Sequence, residues 1–351
     1  MLVWARPRPG QSAARALRHG ELARACREAG ADTLFLAHTL EDRLETLAMR
    51  LARGGGGRGL SGMGELDPSP AWPQGRGIRL ARPLIACRRA ELRDFLRARG
   101  ASWIEDPSNA DRRYERVRLR ESDLFDDAAF CERLLRLGEA SRRFEQTARR
   151  DAARLLDRGA GPLAWGGLAL DRAAFAQAPG LVAARALEMA MLAVSGEAGL
   201  PGPSKIAALL SALRAGEAST AAGVLLTADA LLGRDPGAAS GRADGTPGPD
   251  GLCMMPGDRD VFDARLDVHA HVRLTVEPAA GGEAQGLEAA PAPFRPGLPV
   301  LRAMTGERLA VTGPDAARYG TCRFLTADRL LHLTFPFGAG TWFDGVRSAA
   351  I

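Results

Sequence analysis

The chain has 351 residues, of which 46% are hydrophobic and 25% are charged, a composition typical of globular proteins with room for two or three domains. No run of about 20 apolar residues is present and the first residues lack the apolar core of a signal peptide, so we expect a cytoplasmic protein without a membrane span. The five cysteines are scattered, without a C-x-x-C pair, which excludes a disulfide framework and a cysteine zinc site.

The basic residues are unevenly distributed. Forty-six of the 47 are arginine, and Lys205 is the single lysine. Residues 1–120 carry 23 arginines against 14 acidic residues, whereas residues 121–351 have four more acidic than basic residues. A basic first third favours a polyanionic partner such as nucleic acid.

The first 120 residues alternate between strand and helix patterns. In chain order we predict a short strand at 2–5, a helix at 11–29, a strand at 33–37, a helix at 40–53, a turn-rich stretch at 64–77, a strand at 78–80 and a helix at 88–99. Gly30 and Gly100 stand where helices commonly end. This alternation is typical of a parallel α/β sheet.

The remainder of the chain changes in character. Residues 121–232 show helical periodicity, residues 233–258 are rich in Gly, Pro and Asp, and residues 259–351 contain alternating apolar residues as in DVHAHVRLTV. We therefore predict an α/β domain at 1–120, a helical middle domain at 121–232, a flexible linker at 233–258 and a small β-rich C-terminal module at 259–351.

An acidic stripe opens the helix that follows the strand at 33–37. Positions separated by three or four residues share one helix face, and on this face lie His38, Asp42, Glu45 and Met49, with Glu41 at its edge; Leu40, Leu44, Leu47 and Leu51 form the opposite, core-facing side. Ligands of open α/β sheets bind at this end of the strands. An ordinary solvated helix face and a zinc site are the alternative interpretations.

The stretch AHTLEDRLETLAMRLARGGGGRGLSGM, from Ala37 to Met63, resembles the AHHxDDQAETxxxRLxRGSGxxGLxGM signature of bacterial tRNA(Ile)-lysidine synthetases. The resemblance continues through ARPLI at 81–85, RAELRDFLRARG, and WIEDPSNADRRYERVRLR at 103–120, which is similar to WxxDPSNxDxxxxRNRIR. It covers residues 4–120 in order and spacing, is looser over 121–232 and is weak beyond 258.

The resemblance implies an N-type ATP pyrophosphatase fold and a ligase. Enzymes of this family use ATP, with Mg²⁺, to adenylate C2 of the wobble cytidine 34 in tRNA(Ile) with a CAU anticodon. The ε-amine of L-lysine then displaces AMP to form lysidine. The oligomeric state stays open, with a homodimer among the options.

The family pattern also implies roles for individual residues. Asp42 and Glu45 match the second aspartate and the glutamate of the signature, which serve catalysis around the lysine substrate. His38 and Arg53 match positions of the signature, and Glu41 replaces its first aspartate. All three are expected to bind substrate or nucleotide. A cationic strip for the tRNA backbone is formed by Arg112, Arg113, Arg116, Arg118 and Arg120, with a solvated charged loop as the alternative. The metal ligands stay unknown.

The family's SGGxDS phosphate loop does not occur in the sequence; its decoys SGEAG at 195–199 and SGRADG at 240–245 lack the strand–loop–helix context. Three explanations stay open: an N-terminally truncated fragment of a synthetase, a degenerate and non-catalytic tRNA-binding remnant, or one half of a split synthetase. On each of them we expect that the chain alone does not hydrolyse ATP. The related 2-thiocytidine enzymes rely on C-x-x-C pairs that are lacking here.

Overall fold

The computed structural model describes residues 11–104, 112, 113, 115–197, 199–241, 248–279, 287–312 and 316–334. The chain folds as two compact units, Met1–Thr147 and Ala148–Ile351. Among the described helices none is both long and apolar enough to span a bilayer. The predicted strand at residues 2–5 lies outside the described residues.

The first unit is an α/β arrangement. Its elements are α1 (Gln11–Glu28), β1 (Thr33–Phe35), α2 (Leu40–Ala52), α3 (Gly57–Leu60), β2 (Leu66–Pro68), β3 (Arg79–Ala81), α4 (Arg89–Ala98), α5 (Glu115–Arg120), a 3₁₀ turn (Asp123–Phe125) and the first part of α6 (Ala128–Gly159). The sheet order is β1-β3-β2. Strands β1 and β3 are parallel, with Thr33 opposite Arg79, which confirms the predicted parallel α/β fold class.

Strand β2 lies in the stretch predicted to be turn-rich. It pairs antiparallel with β3 and places Pro68 opposite Arg79. Since proline cannot donate a ladder hydrogen bond, it is tolerated only at the edge of a sheet, and β2 is the edge strand.

The core of the first unit is built on the apolar side of α2. Leu44 and Leu47 are buried and pack with Cys131 and Leu134 of α6. A side chain at Gly138 of α6 would place its Cβ 2.9 Å from a Leu47 methyl group, so glycine permits this close approach. The predicted core residue Leu51 is instead 42% exposed, because it lies in the last turn of the helix.

The second unit combines helices with antiparallel sheets. Its helices are the remainder of α6, α7 (Arg172–Gln177), α8 (Gly180–Ser195), α9 (Pro203–Ala215), α10 (Pro236–Ser240) and α11 (Thr326–Thr334), with 3₁₀ turns at Ala292–Gly297 and Ala316–Arg318. A five-stranded sheet has the order β4 (Ala160–Pro162), β5 (Leu168–Leu170), β8 (Leu231–Arg234), β7 (Val224–Leu226), β6 (Ser219–Ala221). Helix α8 is apolar on nearly every side and forms the centre of the core.

Two smaller sheets follow in the β-rich C-terminal region, as predicted. One has the order β14 (Arg308–Leu309), β13 (Pro299–Ala303), β12 (Leu274–Pro278), β9 (Leu252–Met254). The other has the order β10 (Arg259–Phe262), β11 (Leu266–Ala270), β15 (Gly320–Phe324). Their inward side chains form a core that includes Trp165 stacked on Phe294 at 4.6 Å between ring centroids.

The segment predicted as a flexible linker, 233–258, is built into this fold on both sides of residues 242–247. Asp235 caps α10 through the amide of Gly237 at 3.1 Å, and buried Arg234 lies 3.1 Å from Asp263. A Pro- and Gly-rich composition also suits a short capped helix with proline in its first turn. The four-part domain division otherwise stays a prediction.

Candidate functional site

The acidic stripe lies where β1 leads into α2. Thr39 stands at the N-cap of α2 with an extended backbone. Its amide and its hydroxyl both donate to Oδ2 of Asp42, each at 2.9 Å. These two hydrogen bonds fix the Asp42 carboxylate at the first turn, where the helix dipole favours negative charge.

The two predicted catalytic carboxylates differ in accessibility. Glu45 is fully buried, whereas the side chain of Asp42 keeps 15% of its surface exposed. Arg120 donates to Glu45 from Nε to Oε1 at 2.5 Å and from Nη2 to Oε2 at 3.1 Å. Both oxygens of Glu45 are thus engaged by one guanidinium, in the bidentate geometry that favours Arg–carboxylate pairs.

The other oxygen of Asp42 lies between two guanidiniums. Oδ1 is 3.6 Å from Nη2 of Arg89 and 3.6 Å from Nη2 of Arg120. Burial acts to raise the pKa of Asp42, but the hydrogen bonds from Thr39 and the charge of Arg89 outweigh it and hold the pKa below its usual value. Asp42 therefore stays ionised at neutral pH.

Glu41, predicted to bind substrate or nucleotide, has a structural contact. Its Oε1 and Oε2 accept from the backbone amide of Arg89 at 3.1 and 3.0 Å. Arg89 is the first residue of α4, so the carboxylate satisfies an amide that has no partner within the helix.

His38 lies half-buried just before α2. Burial is the main cause that lowers the pKa of His38, followed by the positive charge of Arg82. The negative charge of Asp42 acts in the opposite direction but is outweighed. Its Nδ1 is buried and has no hydrogen-bond partner within the described part of the chain. The imidazole is therefore neutral at pH 7, with a ring nitrogen turned away from water.

The arginines predicted to contact nucleotide or tRNA divide into two groups. Arg53 pairs with Glu115, Arg112 donates to Glu121 at 2.7 Å, and Arg118 donates to the carbonyls of Arg112 and Arg113 at 2.9 and 3.1 Å. These side chains lie at the surface. Arg116 and Arg120 instead turn inward, Arg116 donating to Oγ1 of Thr46 at 3.2 Å.

The structure thus brings Asp42, Glu45, His38 and Glu41 together around the start of α2, with Arg120 beside the carboxylates. We expected the ammonium group of the substrate to lie beside Asp42 and Glu45. In the structure the guanidinium of Arg120 lies beside both of these carboxylates. The assignment of Asp42 and Glu45 to the lysine substrate stays a prediction.

Sequence reasoning missed Arg89. It lies 47 positions from Asp42 in the chain, yet its Nη2 is also 4.0 Å from Oε1 of Glu45. A signal was present, since ARPLIACRR follows β3 and parallel strands gather their carboxyl ends at one edge of a sheet.

The residues around α2 do not suit a magnesium site. Within the described ranges, no three His, Cys, Asp or Glu side chains converge as metal ligands. Glu41 and Glu45 are committed to Arg89 and Arg120, and Asp42 is flanked by two cations. A hard divalent ion requires several oxygen ligands, so we assign no step to Mg²⁺.

Residues 6–125 match the PP-loop domain, a family model that implies ATP binding. The chain is 34% identical over 322 residues to the tRNA(Ile)-lysidine synthase of Caulobacter vibrioides, covering 87% of this chain and 70% of that protein. It is 47% identical over 112 residues to the enzyme of that name from Hyphomonas neptunium (32% of this chain, 30% of that one). It is 39% identical over 202 residues to the tRNA(Ile)-lysidine synthase of Methylobacterium nodulans, covering 56% of this chain and 58% of that protein.

These matches confirm the resemblance drawn from the motifs. The alignment with the Caulobacter vibrioides protein covers 87% of the chain and therefore includes parts of both units. The chain spans less than two thirds of the length of the second and third of these relatives. The chain belongs to the tRNA(Ile)-lysidine synthase family.

Proposed function

We propose that the chain takes part in the ATP-dependent ligation of L-lysine to C2 of cytidine 34 in tRNA(Ile) with a CAU anticodon. Family membership and the PP-loop match support the reaction class. A cytoplasmic location and a homodimer remain predictions.

The observation that carries the proposal is the placement of Asp42. Its carboxylate stays ionised, is held by Thr39 at the first turn of α2, and keeps part of its surface exposed. Such a carboxylate suits an alkylammonium ligand, because a partly desolvated ion pair is stronger than one in water. We assign Asp42 to the ammonium group of lysine.

Glu45 has a supporting role in this proposal. Its oxygens are both engaged by Arg120, and the side chain has no exposed surface. We infer that Glu45 orients Arg120, and that Arg120 and Arg89 balance the charge of Asp42 until a substrate cation arrives.

The attacking amine must lose a proton, and Asp42 is a poor acceptor because its pKa is depressed. His38 is better suited, since burial keeps the imidazole neutral and the residue directly precedes Thr39, which holds the Asp42 carboxylate. A neutral imidazole is the usual proton acceptor near pH 7. We assign the proton-accepting role to His38.

The tRNA backbone is assigned to the exposed members of the arginine strip, Arg112, Arg113 and Arg118. Arg116 and Arg120 are directed to Thr46 and Glu45 and serve the interior of the site. The contacts of Arg112 and Arg118 with Glu121 and with backbone carbonyls lie at the surface, where such contacts are weak and can be exchanged for contacts with phosphates.

The proposal is tested by incorporation of radiolabelled lysine, with ATP present, into a tRNA(Ile) transcript with C34. A transcript with U34 is the matched control, and the chain is assayed beside a version extended by any in-frame codons upstream of Met1. Lysine on the C34 transcript alone supports the proposal. Tight binding of both transcripts without incorporation by either protein would indicate the non-catalytic tRNA-binding alternative.

A further inference from the structure

Aromatic rings and guanidiniums cluster on α4 and the segment after it. The guanidinium carbons of Arg93 and Arg97 lie 5.6 and 5.4 Å from the ring centroid of Trp103. That of Arg99 lies 4.3 Å from the centroid of Phe95. These are cation–π distances. Arg93 and Arg97 share one face of α4, whereas Phe95 and Arg99 lie on the opposite face. We call Arg93, Arg97 and Trp103 the α4 patch.

The α4 patch lies at the surface. Trp103 is 36% exposed and the neighbouring Ile104 is 95% exposed, and the side chain of Arg97 is 61% exposed. No residue of α4 itself is buried. Single exposed apolar side chains are common, but here a partly exposed ring lies beside two guanidiniums and is followed by an exposed isoleucine, which is typical of a binding surface.

The charge of this stretch favours an anionic partner. Residues 88–104 contain five arginines against Glu91 and Asp94, and the first 120 residues share the same excess of positive charge. Arg97 pairs with Asp94 at the surface, where an ion pair is weak and exchangeable. A guanidinium beside an aromatic face offers a phosphate contact and a stacking plane at adjacent positions.

We propose that the α4 patch binds unpaired nucleotides of RNA, with Trp103 stacking on a base and Arg93 and Arg97 contacting the neighbouring phosphates. The occupant is tRNA in so far as the proposed function holds. The α4 patch comes from a different segment of the chain than the strip at Arg112, Arg113 and Arg118, and it offers a tryptophan ring for base stacking.

The test measures Kd by fluorescence anisotropy for two labelled probes, the tRNA(Ile) transcript and an unstructured single-stranded RNA of about 12 nucleotides. Four variants are compared: Trp103→Phe, Trp103→Leu, Arg97→Gln and Arg136→Gln. Arg136 is the matched control, because it too is an exposed helical arginine in a near-neighbour ion pair, with Glu132.

Trp103→Leu should weaken binding of both probes about tenfold, whereas Trp103→Phe keeps a ring and should stay within about threefold. Arg97→Gln should weaken binding of both probes. It should also make the fall of log K, where K is the binding constant, with log salt concentration less steep, by about 0.7–0.9 in the slope. The Arg136→Gln variant should bind both RNA probes with the same Kd as the unaltered chain. Quenching of protein fluorescence by bound RNA should shrink in Trp103→Phe.

Equal affinities for Trp103→Leu, Trp103→Phe and the unaltered chain would overturn the inference, as would failure of the chain to bind either probe. A change in self-association with unaltered RNA affinity would assign the α4 patch to a protein contact instead. Unchanged lysine incorporation together with unchanged RNA affinity in all four variants leaves the proposed function standing and removes this surface. Trp103-dependent binding of the single strand, together with no lysine incorporation into tRNA(Ile), keeps the α4 patch and removes the proposed function.

Discussion

The guanidinium of Arg120 closes on the carboxylate of Glu45 through two parallel hydrogen bonds, and the Glu45 side chain has no exposed surface. The hydrogen bond to Glu45 is also the largest of the effects that raise the pKa of Arg120. A residue predicted to face tRNA and one predicted to face lysine are therefore each other's main partner. The pair joins α5 to α2, so it links the two most characteristic motifs of the sequence.

Removal of Arg120 should destabilise the first unit. Arg120→Met leaves the buried Glu45 charge without its main partner, which costs about 3–5 kcal/mol in the free energy of unfolding. Arg118→Met, at an exposed position of the same helix, should cost less than about 1 kcal/mol. Denaturant unfolding followed by tryptophan fluorescence measures both.

The double variant Glu45→Gln with Arg120→Met separates charge from packing. It should recover most of the lost stability, because no uncompensated charge remains buried. An Arg120→Met chain that unfolds within about 1 kcal/mol of the unaltered chain would contradict this description of the pair.

Glu41 should act as a helix cap. Glu41→Ala removes the acceptor of the Arg89 amide and should reduce stability by about 0.5–2 kcal/mol. The specific sign is faster hydrogen exchange at the first amides of α4, with the amides of α2 beyond its first turn unchanged. Glu132→Ala, at an exposed position of α6, is the control. Unaltered exchange at Arg89 would show that this contact is not formed.

Gly196 ends α8 in a backbone conformation that requires glycine. Its φ is +74°, and a Cβ there would lie 2.3 Å from the carbonyl oxygen of Asp263. Gly196→Ala should therefore destabilise the second unit by about 3 kcal/mol, from strain and overlap together. Gly180→Ala, at a helical position with no atom within 4 Å of the added Cβ, should change stability by less than about 0.5 kcal/mol. The measurement is the midpoint temperature of thermal unfolding for both variants. Equal midpoints for Gly196→Ala and Gly180→Ala would refute the prediction.

His19 should make stability depend on pH in the mildly acidic range. Burial, followed by the charges of Arg15 and Arg18, lowers its pKa from 6.5. The unfolded chain then binds a proton at a higher pH than the folded chain does, so this contribution to the free energy of unfolding is present above pH 6.5 and is lost as the pH falls below it.

The measurement is urea unfolding at a series of pH values from 7.5 down to 5.5. His19→Gln should flatten the decline below pH 6.5 without abolishing it, because burial also lowers the pKa of His38 in the same unit. An unaltered decline in His19→Gln would remove His19 from the explanation. Asp42, whose pKa is depressed below 3.8, loses its contribution only in a more acidic range, which separates the two effects.

Much of the first unit was accessible from the sequence. The helices at 11–28, 40–52 and 89–98 and the strands at 33–35 and 79–81 lie within one or two residues of their predicted bounds, because periodicity and terminal glycines mark such elements strongly. The five-stranded sheet in the middle region was missed. Its strands have three or four residues each, too short for an alternating pattern to stand out.

The membership of the site was predicted better than its contacts. Helical spacing alone placed Asp42 and Glu45 on one face of α2. The same spacing does not predict the contacts with Arg89 and Arg120, which lie in α4 and α5. These two arginines are the partners of the carboxylates. Contacts between residues 47 and 75 positions apart depend on tertiary packing, and no local pattern encodes them.

The assignment of Asp42 to the lysine ammonium is tested most directly by calorimetric titration of the chain with L-lysine and with L-norleucine, which lacks the terminal ammonium. The unaltered chain and Arg118→Gln should bind lysine and not norleucine. Asp42→Asn, which keeps an acceptor for Thr39 but removes the charge, should bind lysine about 100-fold more weakly. Lysine affinity in Asp42→Asn equal to that of the unaltered chain would contradict the account.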